Sequence, residues 1–137
     1  MSSPQPTREV RAWTRQSEHD LRDAEILAQS GRHATASFMC HQAAEKILVA
    51  FLMQQGAERV WGHSLADLCE DAMPFDATFD LVKSMAGMLD KHYLGARYPS
   101  TLPGGVPAET YDAEDSRRAL EIASEVRRFV LEKVQAA

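Results

Sequence analysis

Apolar residues recur at three- and four-residue steps through most of this chain, the spacing of helices that bury one face. From Arg8 to Gln29 the stripe is Val10, Trp13, Leu21, Ala24, Leu27 and Ala28, with Arg15, Glu18, His19, Arg22 and Asp23 opposite. Ser30-Gly31 then reads as a glycine C-cap. Residues 34–56 differ, being apolar nearly all the way round and interrupted only by His41, Gln42, Glu45 and Lys46. Such a helix belongs at the centre of a bundle, against several neighbours. A short third helix starts at Ser64, with Asp67 placed for a capping box, and ends by Met73-Pro74. A fourth is predicted over residues 77–94, from the stripe Phe79, Val82, Met85, Ala86, Leu89 and Tyr93. A fifth spans 113–134, with Ala119, Ile122, Ala123, Val126, Phe129, Val130 and Val134 on one face.

The connections complete the picture. Residues 1–7 hold Pro4 and Pro6 and read as a disordered start. Residues 56–63 form a short link carrying Trp61. Residues 95–112 carry Pro99, Pro103, Pro107, Gly104 and Gly105, which predicts a long loop without regular structure. The expected fold is therefore all-α: one up-and-down helical bundle over residues 8–137, with four long helices and one short one.

Composition narrows the function classes. No apolar run reaches the ~18 residues a membrane span needs, and no hydrophobic leader precedes the first helix. Cys40 and Cys69 fall in helical patterns and read as small buried hydrophobes in a reducing, cytoplasmic setting. A net charge of −5 argues against broad nucleic-acid binding. The repeated Glu-x-x-His of a bundle metal centre is absent, and Gly104-Gly105 has no adjoining helix start to make a phosphate cradle, so no metal or cofactor is expected. Trp61, Met53 and Phe38 lack an obvious partner in the stripes, which predicts a homodimer.

The candidate chemistry lies in the polar group on the central helix, His41, Gln42, Glu45 and Lys46, together with Arg97 and Tyr98 after the fourth helix. These residues form either a structural network that fixes packing or an anion site, since Lys and Arg both bind phosphate. His63, just ahead of a helix N-terminus, reads as a turn residue that resists protonation there.

At these positions the chain resembles the HEPN domain family. Phe38 to Lys46, FMCHQAAEK, is similar to its Q-A-x-E-K second helix. His63-Ser64-Leu65 is similar to its H-S-L helix start, and Arg97-Tyr98-Pro99 to its R-Y-P. The resemblance implies a helical bundle, commonly dimeric. It also implies pairing with a minimal nucleotidyltransferase in a module of toxin–antitoxin type, and nucleotide binding. Some HEPN proteins are metal-independent ribonucleases carrying Arg-x(4–6)-His. In this chain no His follows Arg97, and Arg15–His19 and Arg59–His63 are one residue short. The expectation is thus a non-catalytic binding module, with a ribonuclease toxin and a purely structural helical dimer as rivals.

Overall fold

The computed structural model describes residues 6–58, 60, 62–101 and 105–135. Arg59, Trp61, Pro103, Gly104 and most of the expected disordered start lie outside them. The chain is an all-helical bundle of α1 (Arg8–Gln29), α2 (His33–Gln54), α3 (Leu65–Ala72), α4 (Asp80–Gly87), α5 (Lys91–Gly95), α6 (Pro107–Thr110) and α7 (Ala113–Gln135). No strand occurs among the described residues.

Local chemistry sets the ends of the long helices. The Thr7 hydroxyl accepts from the Val10 amide at 3.1 Å and starts α1. Gly31 adopts φ +78°, so the Arg32 amide donates to the Leu27 carbonyl and the Gly31 amide to Ala28. Gly56, at φ +103°, repeats this Schellman closure on α2 through Ala57 to Leu52. Asp112 and Asp115 cap each other's amides at the start of α7, at 2.9 and 3.0 Å.

α2 is the centre. It packs most extensively on α1 and α7, and also meets α3, α5 and α6. Cys40, Ala44, Ile47, Leu48 and Phe51 of α2 join Leu65, Leu68, Phe79, Leu89, Val126 and Val130 in one core. Each large side chain buried there contributes about 1.5–3 kcal/mol. Cys40 and Cys69 are both free and buried, and burial pushes both thiols up to about 12.

The segment expected as a single helix over residues 77–94 is broken. A 3-10 turn at Ala77–Phe79 leads into α4, and Met88, Leu89 and Asp90 then tighten into three-residue turns before α5. Gly87 weakens the helix at that point. Its backbone lies so close to α3 that a Cβ there would sit 3.4 Å from that of Ala66. The break frees the Asp90 carboxylate from its own helix. The Leu65 amide donates to it at 2.7 Å, and the Ser64 hydroxyl lies 3.3 Å from its other oxygen. Ser64, which accepts from the Asp67 amide at 3.2 Å, thus shares the capping of α3 with a residue 26 positions away. The loop expected over 95–112 also carries structure: a 3-10 turn at Pro99–Thr101, and α6.

Candidate functional site

Residues 38, 41, 42 and 45 lie on one side of α2, within two turns of one another. His41 is fully buried. Its Nε2 donates to the His63 carbonyl at 2.8 Å and lies 3.3 Å from Asp90 Oδ1. Its Nδ1 meets the Gln42 side-chain amide at 3.1 Å. Both ring nitrogens are therefore engaged, and His41 acts as a strut between α2, the link before α3, and Asp90.

That strut fixes the backbone of His63, and Glu45 fixes its ring. The Glu45 side chain is only 11% exposed and accepts from His63 Nδ1 at 2.8 Å. The imidazole stacks on Tyr93 with centroids 4.2 Å apart and planes 17° from parallel. Its side chain stays 52% exposed, and Nε2 has no partner among the described residues. With Nδ1 donating to a carboxylate, the neutral ring presents a lone pair at Nε2.

Arg97 occupies the same aromatic cluster. Its Nε donates to the Tyr93 carbonyl at 2.8 Å. The guanidinium carbon lies 4.2 Å from the Phe38 ring centroid, 4.8 Å from Tyr93 and 5.0 Å from Tyr98. Three rings thus hold the guanidinium plane in place, while its Nη groups have no acceptor among the described residues. Arg97 and Tyr98 are exposed. Beside them opens a cavity of about 450 Å³ lined by His63, Ser64, Asp90, Lys91, Tyr93, Leu94 and Gly95.

Lys46 does not join this group. One residue past Glu45, it turns to α1, where Nζ donates to Asp20 Oδ2 at 2.6 Å and the side chains are 22% and 3% exposed. Gln16 donates to the other Asp20 oxygen at 2.9 Å. Of the six residues singled out in sequence, His41, Gln42, Glu45, Arg97 and Tyr98 surround one region, and Lys46 faces another. Sequence reasoning passed over His63, Asp90, Tyr93 and Phe38 as site residues. His63 and Phe38 fell within the quoted motifs, and Asp90 and Tyr93 carried no such signal. Phe38, expected to await a second copy, packs 6.3 Å from Tyr93 within its own chain.

His92 stands apart as well. It is buried, and Nδ1 lies 2.8 Å from the Tyr111 hydroxyl. Burial, followed by the charges of Lys91 and His41, pulls its pKa down to about 4. This imidazole is a neutral clasp on the 105–112 segment rather than a group open to the cavity. No cluster of metal-ligating side chains forms among the described residues, and no helix among them is long and apolar enough to cross a membrane.

A bundle centred on one apolar helix, with a polar cluster where α2 meets the link to α3 and the chain leaving α5, defines a class of helical domain. The chain belongs to the HEPN domain family, which matches residues 10–134. Solved structures agree. TT1696 from Thermus thermophilus is 35% identical, with a TM-score of 0.86 over 93% of this chain and 99% of that one. ST0689, an archaeal HEPN homologue, is 30% identical, with a TM-score of 0.75 over 91% and 97%. A HEPN domain protein from Thermotoga maritima is 25% identical, with a TM-score of 0.73 over 92% and 99%. No curated protein sequence matches the chain.

Proposed function

We propose that this HEPN protein is a non-catalytic binding module that recognises a phosphate-bearing nucleotide at Arg97. We further propose that it works as a homodimer beside a minimal nucleotidyltransferase, in a pair of toxin–antitoxin type. The observation that carries the reading is the guanidinium held over Phe38, Tyr93 and Tyr98, with no acceptor for its Nη groups among the described residues. A planar fork fixed by packing loses little freedom on binding and suits two phosphate oxygens at once. Tyr98, 47% exposed, packs against the same guanidinium. Lys46, neutralised by Asp20, takes no part. Calorimetric titration of the protein with nucleoside mono-, di- and triphosphates tests this. Binding is expected to strengthen with phosphate number, and no heat with any of the three refutes it. Sedimentation at micromolar concentration tests the dimer, and a species of 15.3 kDa alone refutes it.

One observation favours the ribonuclease rival. Glu45 orients His63, whose Nε2 has no partner among the described residues and whose ring packs on Tyr93 beside Arg97. Cleavage of RNA without metal needs a base for the 2′-hydroxyl proton and a cation for the charge on the phosphorane. His63 and Arg97 are the residues to remove, and His92 is not, because its Nδ1 is occupied by Tyr111. The expected result is no cleavage of short single-stranded RNA in EDTA. Cleavage lost in both His63→Ala and Arg97→Ala would establish the rival.

A further inference from the structure

At the far end of α2 sits a glutamine that the fold leaves unsatisfied. Gln54 is 5% exposed, and neither its amide oxygen nor its amide nitrogen has a hydrogen-bond partner among the described residues. A leucine or methionine would fill such a position without stranding a donor and an acceptor. Gln54 lines a cavity of about 420 Å³, together with Phe51, Gln55, Phe75, Asp76, Glu132 and Lys133. That volume falls in the range of small-ligand sites.

The walls state what would fit. Phe75 is 54% exposed, a large apolar ring at the mouth with a free face. Asp76 and Lys133 close on each other at 2.7 Å, and Lys133 also lies 4.5 Å from the Phe129 ring centroid. Glu132 has no partner among the described residues, so its carboxylate is the charge left over. Two carboxylates against one ammonium make the cavity a poor place for an anion. A carboxamide missing both partners is matched by a ligand with a donor and an acceptor on adjacent atoms, forming a paired amide edge. A flat ligand body packs on Phe75.

We propose that this cavity binds a small planar amide or lactam carrying no negative charge, seated on Phe75 and read by the Gln54 carboxamide. Both amide atoms are buried in this structure, so binding requires a rotamer change of Gln54. The site is separate from Arg97 and opposite to it in charge preference.

The test is a titration of the ¹⁵N-labelled full chain with nicotinamide and, separately, 2-pyridone. The Gln54 side-chain NH₂ and the backbone amides of Phe75 and Asp76 are followed. Saturable shifts at these groups are expected with both amides, and none with nicotinate or inorganic phosphate. Phe75→Ala should weaken both amides by about fivefold, the loss of one aromatic contact. Gln54→Leu should abolish the shifts at Phe75 and raise Tm, while Arg97→Ala should leave the titration unchanged. The proposal is overturned if neither amide gives a saturable shift, if nicotinate matches nicotinamide, or if Gln54→Leu binds like the wild type. Should Gln54→Leu fail to fold, Phe75→Ala decides: affinity equal to wild type overturns the proposal.

Discussion

The seam between α1 and α2 and the cleft between α2 and α5 use neighbouring residues of one helix, and they treat polar side chains in opposite ways. In the seam the polar groups are closed off. The buried Ser17 hydroxyl donates to the Ala43 carbonyl at 2.7 Å and accepts from Arg127 Nε at 3.0 Å. Arg127 also donates to the Thr14 carbonyl, and Asp20 takes both Lys46 and Gln16. In the cleft, His63 Nε2 and the Arg97 Nη groups have no partner among the described residues, and both side chains are exposed. A polar group whose partners are all internal specifies packing. A polar group fixed on one side and exposed on the other stays open to solvent or to a ligand.

The sharpest break of this contrast is Lys46→Met. It strands the Asp20 carboxylate, 3% exposed, with only Gln16 for company. Removing one partner of a buried pair costs about 3–5 kcal/mol. Denaturant unfolding should show that loss, and nucleotide binding by the protein that remains folded should be unchanged. A variant as stable as wild type would make the seam a surface pair of no consequence. Weakened nucleotide binding with unaltered stability would move Lys46 into the recognition site.

His92 gives the next effect, in pH. Its pKa falls from 6.5 in the unfolded chain to about 4 in the folded one, chiefly through burial. The unfolded state therefore binds the extra proton between those values, and stability falls as pH drops from 6.5 toward 4. The shift corresponds to about 3 kcal/mol across that window. The slope fades over about one unit above pH 6.5, as the unfolded imidazole also loses its proton. Comparing wild type with His92→Gln by urea unfolding at pH 7, 5.5 and 4.5 isolates the contribution, because the other titrating groups are common to both. Equal slopes in the two proteins would mean that the Tyr111 clasp is open in solution.

The same contrast explains what was legible in the sequence. The seam helices and α7 follow local rules legible in the chain: a 3.6-residue stripe, with Gly31 and Gly56 as stops. Their ends agree with the expected ones to within two residues, and the all-α bundle follows from them. The cleft depends on pairings that periodicity does not carry. Asp90 reads as one more polar position in a helix over 77–94, yet it leaves that helix to cap α3. Tyr93 reads as a core stripe residue, yet one face meets His63 and Arg97 packs on the ring as well. Lys46 follows Glu45 by one position, a rotation of about 100°. That single step carries it from the cleft to the seam.

The smallest predicted effect separates charge from shape at Arg97. If the site needed only a positive charge, Arg97→Lys would bind nucleotide as well as wild type, and Arg97→Ala would lose roughly tenfold to a hundredfold. The geometry argues for an intermediate result. The guanidinium is a plane that packs on three rings and is tied through Nε to the Tyr93 carbonyl. An ammonium keeps an attraction to the rings but has no plane to stack and no fork to present. Arg97→Lys should therefore lose roughly two- to fivefold in affinity, the equivalent of about 0.5–1 kcal/mol. Because the side chain is exposed, neither variant should unfold the bundle. Titration of wild type and both variants with one nucleoside triphosphate at fixed ionic strength resolves the three values. Lysine equal to arginine would reduce the aromatic platform to packing, and lysine equal to alanine would make the planar fork the whole of recognition.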